Sequence, residues 1–145
     1  MRVDFYQLDG GAAGVLVALA AKLAERGERL LVTSADDAQL AALDRQLWTE
    51  APATSFLAHG RVDEGRDKDQ PILLSTRTTA PNGARNIALV DGQWRPSALG
   101  FERAFYLFNE ETIGAAREAW KALAEEPGVE RHYWAREDGR WIRKA

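Results

Sequence analysis

Val3-Asp-Phe-Tyr-Gln-Leu8, Asp9-Gly-Gly11, Ala12-Ala-Gly-Val-Leu-Val-Ala-Leu-Ala-Ala-Lys-Leu-Ala-Glu-Arg26, Gly27 and Arg29-Leu-Leu-Val-Thr33 follow one another at the start of the chain. The first segment alternates and is rich in Phe and Tyr, the pattern of a strand. Two glycines break it. The Ala/Leu-rich run of residues 12–26 places Lys22, Glu25 and Arg26 in the last turns of a helix, with Gly27 as its stop. Residues 29–33 form a short continuous apolar run, which suits a strand covered on both faces. Strand, helix and buried strand in this order predict parallel strands joined by a crossover helix.

Working outward, Ser34 is placed to cap a second helix, with Asp36 and Asp37 in its first turn and Leu40, Leu43 and Leu47 on one face up to Trp48. After a turn around Pro52, Ser55-Phe-Leu57 reads as a short strand, and residues 60–70 read as a polar loop. Pro71-Ile-Leu-Leu-Ser75, Asn86-Ile-Ala-Leu-Val90 and Ala104-Phe-Tyr-Leu-Phe108 are three more buried strands. A last helix runs from Glu111 to Glu126 and is ended by Pro127-Gly128. Arg131–Trp134 and Arg140–Arg143 form a hairpin around Glu137-Asp-Gly139. No repeat or linker interrupts the chain. The pattern predicts a single three-layer α/β domain over residues 1–145, with a mainly parallel sheet flanked by helices and a Rossmann-like topology.

None of the 145 residues is cysteine, which removes disulfides, thiolate metal sites and thiol catalysis. Charges at Arg2 and Asp4 leave no apolar leader, and the apolar stretch Ala12–Leu23 is too short to cross a bilayer, so a cytoplasmic location with no membrane partner is expected. The net charge of −3 argues against broad nucleic-acid binding, and contact with DNA is expected to be indirect only. The tail differs. Residues 131–145 hold five basic side chains (Arg131, Arg136, Arg140, Arg143, Lys144) against Glu137 and Asp138.

Gly10-Gly-Ala-Ala-Gly14 lies between the first strand and helix, and Asp36 follows the second strand, as a phosphate loop and a ribose acid do in dinucleotide folds. Its GGxxG spacing displaces the glycine that lets a backbone approach a pyrophosphate, so a simple turn and a helix N-terminus explain both features. A nucleotide- or phosphate-binding protein using this loop is the alternative function. His59 and His132 are the only histidines, far apart in sequence, with no GxSxG elbow near either. Asp63, Glu64, Asp67 and Asp69 lack the ligand ladder of an EF-hand and are interleaved with Arg61, Arg66 and Lys68. The chain is therefore expected to be no enzyme and to hold no metal or cofactor. Ile113, Arg117, Trp120, Lys121 and Ala124 share one face of the last helix. An Arg fork and a Lys beside an apolar slot suit a peptide ending in a carboxylate with its last side chain buried. The plain alternative is a core Trp120 with solvent-facing cations.

At these residues the chain resembles a known family. Asp4-Phe-Tyr-Gln-Leu8, Leu47-Trp48, Ser55-Phe-Leu-Ala-His59, Pro71-Ile-Leu-Leu74, Asn86–Val90, Phe105-Tyr-Leu-Phe108 and Ala116-Arg-Glu-Ala-Trp-Lys121 resemble, in order, landmarks of the DNA polymerase III chi subunit family; Tyr133-Trp134 and Gly139-Arg-Trp141 resemble its aromatic tail. The resemblance implies a non-catalytic accessory subunit of the clamp-loader assembly. It would bind the acidic, phenylalanine-terminated tail of single-stranded-DNA-binding protein and join the clamp loader through a second small subunit, psi. By this resemblance Arg117 would grip the tail's terminal carboxylate, Trp120 would wall the pocket for the last side chain, and Lys121 would face the acidic residues upstream. Gly128 would permit the turn that closes the pocket, and Trp48 and Phe56 would lie on the psi-binding surface. On its own the chain is expected to be a monomer. Glu125 and Glu126 depart from the family pattern and would repel an acidic ligand if they faced the pocket.

Overall fold

The structure, a computed structural model, describes residues 1–50, 59–63 and 65–145, the side chains of Trp48 and Glu50 excepted. Its strands are β1 (Arg2–Gln7), β2 (Leu30–Thr33), β3 (His59–Arg61), β4 (Ile72–Ser75), β5 (Asn86–Leu89), β6 (Arg103–Phe108), β7 (Glu130–Glu137) and β8 (Arg140–Arg143). The helices are α1 (Ala13–Glu25), α2 (Asp37–Glu50) and α3 (Ile113–Ala124), with 3-10 turns at Asp67–Asp69 and Pro96–Gly100.

The strands form one sheet in the order β3-β4-β2-β5-β6-β1-β7-β8. All neighbours are parallel except β7 and β8. The mainly parallel α/β architecture expected from the apolar runs is the one observed. The central strands β2, β4 and β5 are buried along their whole length, which is why they lack alternation.

Alternation along β1 divides the core. Tyr6 joins Phe105, Leu107, Val32 and Leu74 under α1 and α2, which contribute Leu16, Leu23, Leu40 and Leu47. Val3 and Phe5 join Ala104, Tyr106 and Phe108 on the opposite face, where α3 packs through Ala116, Ala119 and Leu123. Helices on both faces give the three layers.

Two local readings change. His59–Arg61 is an edge strand paired with Ile72–Leu74, although its last two residues lie in the segment read as loop. Its Gly-Arg sequence carries no apolar run because the edge needs none. Ser34 does not cap α2: its hydroxyl accepts the Asp36 N–H at 3.0 Å and meets Gln39 Oε1 at 2.6 Å, while Asp36 Oδ1 accepts the Ala38 N–H at 3.0 Å. The cap is therefore Asp36, an equally good acceptor one step nearer the helix. The expected strand Ser55–Leu57 lies outside the described residues. The hairpin closes at Asp138 (φ 52°) and Gly139 (φ 75°), two consecutive left-handed residues as a tight two-residue turn requires.

Candidate functional site

β6 leads into α3, and α3 leads into β7, which pairs with β1 on the side away from β6. α3 therefore crosses over β1, and one side of the helix meets aromatic residues from three adjacent strands. Between them lies a cavity of about 300 Å³. Phe5, Phe108 and Ala116, all nearly fully buried, make its floor. Trp120, Tyr133 and Ile113, each partly exposed, make its walls. Arg117 and Lys121 are exposed at its rim, one helical turn apart.

The wall is held from several sides. The Trp120 ring meets Phe5 edge-on at 5.2 Å and Tyr133 at 6.4 Å. The Arg131 guanidinium lies 4.0 Å from the Trp120 ring centroid and donates to the Trp120 carbonyl at 2.7 Å. The Tyr133 hydroxyl donates to Gln7 Oε1, and its ring lies 5.9 Å from Phe108. Beneath Phe5, 4.8 Å away, burial and then the nearby Asp91 charge push the Tyr106 phenol up to about 12, against a smaller opposing effect of Arg95. Tyr106 thus stays a neutral donor, bonded to the Gly92 carbonyl. Arg117 and Lys121, by contrast, meet no carboxylate among the described residues. An apolar slot with two cations at its mouth can receive a ligand that pairs an apolar group with an anionic one.

The structure brings Arg117, Trp120 and Lys121 around this cavity. Gly128 stands apart from the lining. It has φ 78° in the turn from α3 to β7, and its carbonyl accepts from the N-terminal ammonium of Met1 at 3.1 Å. Ala124 also stands outside the lining, and Glu125 and Glu126 are exposed beyond the end of α3 without lining the cavity. Phe56 and the side chain of Trp48 lie outside the described residues. The reading of a core Trp120 with solvent-facing cations holds in part, because Trp120 packs on the core and still faces the cavity. Phe5, Phe108 and Tyr133 escaped the sequence reading of the site. Register brings them together, since Phe5 pairs with both Tyr106 and Tyr133, and no local spacing announces that.

The other candidates separate. Neither Gly10, Gly11 nor Gly14 has a positive φ, and a side chain at any of them would meet nothing within 4 Å. The crevice beside that loop, where β1 and β6 send their connections in opposite directions, is lined by Asp9, Glu110 and Glu111. Three acids there repel a pyrophosphate, although a switch point is where such folds ordinarily bind one. Asp36 is the cap of α2. His59, its side chain fully buried, has Nε2 3.1 Å from the Asp44 carbonyl and carboxylate oxygens. His59 and His132 stand on the first and seventh strands of the sheet order, about 29 Å apart at ordinary strand spacing. Asp67 accepts the Asp63 N–H, and Arg77 pairs with Asp63 at 3.1 Å. No cluster of three potential metal ligands occurs among the described residues, and none of their helices is long and apolar enough to cross a membrane.

The family model described as DNA polymerase III chi subunit, HolC, matches residues 1–130. That span includes all of α3 and ends just inside β7, so Tyr133 and the hairpin lie beyond it. No curated protein matches the sequence.

Proposed function

Because the chain belongs to the DNA polymerase III chi subunit family, a family of replication accessory subunits, we propose that it is a non-catalytic subunit that captures the acidic C-terminal tail of single-stranded-DNA-binding protein in the cavity beside α3. The terminal phenylalanine enters between Trp120 and Tyr133. Arg117 receives the terminal carboxylate through its planar fork, and Lys121 faces the acidic residues upstream. Gly128 supplies the turn that lets β7 return beside β1 and carry Tyr133 to the pocket. A psi-like subunit joins this one to the clamp loader on the surface around Trp48 and Phe56. DNA is reached chiefly through the coated strand, and no cofactor takes part.

The supporting observation is the coincidence of an apolar cavity with two exposed cations that meet no carboxylate among the described residues. The acidic crevice beside Gly10 disfavours the nucleotide reading.

A thermodynamic cycle tests the assignment. Titration of a labelled acidic peptide ending in Asp-Ile-Pro-Phe should give saturable binding, and Arg117→Ala should weaken it roughly ten- to a hundredfold, matching a charged hydrogen bond of about 1.5–3 kcal/mol. Amidating the peptide's terminus should cost the wild type a similar factor and the variant little more, because both changes remove one interaction. If the two losses simply add, the carboxylate is held elsewhere.

A further inference from the structure

The sheet face opposite α3 carries a second chemistry. Strand alternation places Arg2, Asp4 and Tyr6 of β1, Arg103 of β6, Trp134 and Arg136 of β7, and Trp141 and Arg143 of β8 on that side. The core under α1 and α2 ends at this place, and Trp134 and Trp141 pack against its margin while remaining partly exposed. Trp134 lies nearly parallel to Tyr6, at 13° and 6.3 Å, and Trp141 meets Tyr6 edge-on at 5.2 Å. Both indoles are thereby fixed in orientation.

Cations frame them. Arg136 is exposed, with its guanidinium 5.7 Å from the Trp141 ring centroid, and Arg143 is exposed on the next strand. Arg136 meets no carboxylate among the described residues, and Arg143 donates to the main-chain oxygen of Ala145, the last residue given, at 3.1 Å. At the other side of the tryptophans, Arg2 and Arg103 share the fully buried Asp4, which offsets one of their two charges, and their side chains stay 39% and 25% exposed. Among the described residues of these four strands, the other acid on this side is Glu130, at the start of β7 beside His132. The face is net positive in a chain whose net charge is −3.

Two fixed indoles with arginines on either side match one class of ligand. A phosphate backbone satisfies the guanidinium groups, and unstacked bases use the indole faces. An acidic peptide would use the cations and leave the indoles idle, and a duplex keeps its bases stacked away from them. We propose that this face binds single-stranded nucleic acid directly, with one or two bases stacked on Trp134 and Trp141 and the neighbouring phosphates held by Arg136 and Arg143. So small a footprint binds weakly in free solution and becomes effective when the protein is already tethered near a strand. The proposal goes beyond tail capture and does not depend on it.

Anisotropy of a labelled ten-base oligothymidylate tests this with the free protein, at ~20 mM salt to expose a weak contact and again at ~0.15 M. The expected result is saturable binding at low salt that weakens at least about fivefold when the oligomer is replaced by an abasic strand of equal length. The Arg136→Ala/Arg143→Ala double variant should lose about tenfold or more. Arg140→Ala, which removes a charge from the opposite face of β8, should lose less than about twofold. Trp141→Leu, which keeps an apolar contact to Tyr6, should lose about fivefold, and if its circular dichroism departs from the wild type the abasic and arginine arms decide alone. Equal affinity for abasic and oligothymidylate strands would overturn the proposal. So would an Arg140→Ala loss as large as that of the double variant, or binding of a poly-glutamate of similar length with none of the oligothymidylate.

Discussion

Asp91 shows how a single residue ties distant loops together. Its carboxylate accepts from Arg95 at 2.7 and 3.1 Å, from the Ala35 N–H at 2.9 Å and from the Gln93 N–H at 3.2 Å, so it fastens the β2–α2 loop to the loop after β5. Burial alone would raise its pKa. The Arg95 and Ala35 hydrogen bonds, with the Arg95 charge, outweigh burial and hold it below the ordinary carboxylate value of 3.8. A depressed folded-state pKa contributes stability above the unfolded value, and that stability is lost as pH falls through the folded one. Asp91→Asn should therefore cost about 1–3 kcal/mol in urea melts at pH 7. The gap to wild type should narrow below pH ~4, where the wild-type carboxylate protonates. A gap that is constant from pH 7 to pH 3 would show that the charge contributes nothing. Beside it, Gly92 has φ 71°, and a Cβ there would collide with the Thr112 side chain. Nothing near Gly92 in the sequence marks that need, because Thr112 arrives from another loop. Arg117, Trp120 and Lys121 were legible for the opposite reason: helical spacing alone puts them on one face.

Among the elements, β7 was legible as a strand and illegible as a neighbour of β1. Alternation identifies a strand and its turn, but it carries no record of which edge the strand joins. The reason for the pairing lies in Asp4, a charged residue in an otherwise apolar strand and fully buried. It accepts from Arg2 at 3.1 and 3.2 Å, from Arg103 at 2.9 Å and from the Trp134 indole N–H at 3.0 Å, partners 2, 99 and 130 residues away along the chain. One carboxylate thus clamps β1, β6 and β7. Removing one member of a buried ionic group leaves the others uncompensated. Asp4→Ala should lower stability by about 3–5 kcal/mol in chemical denaturation. A variant that melts like the wild type would mean that the clamp contributes nothing. Because β7 also carries Tyr133, the surviving folded fraction should bind the tail peptide more weakly although no pocket residue has changed. β3 was missed for want of any apolar run, as an edge strand permits.

For the molecule as a whole, the net charge of −3 sets the behaviour with DNA. At ~0.15 M salt the Debye length is about 8 Å, so the arginines of the sheet face act only at contact range. Gel shift of a naked oligonucleotide should then be much weaker than gel shift of the same strand coated with single-stranded-DNA-binding protein. Equal affinity for both would place the main contact on DNA itself and demote the α3 cavity. The architecture has one more consequence, for how the chain is made. Among the strands, β1 is translated before the others, yet its two neighbours in the sheet are β6 and β7. At about 5–20 residues per second the ribosome needs roughly 5–20 s to add the hundred or so residues that deliver β6. Throughout that interval a strand containing Val3, Phe5 and Tyr6 lacks both of its sheet neighbours, while α1, β2 and α2 are already complete. An apolar strand thus waits exposed on the nascent chain for partners encoded about a hundred residues downstream.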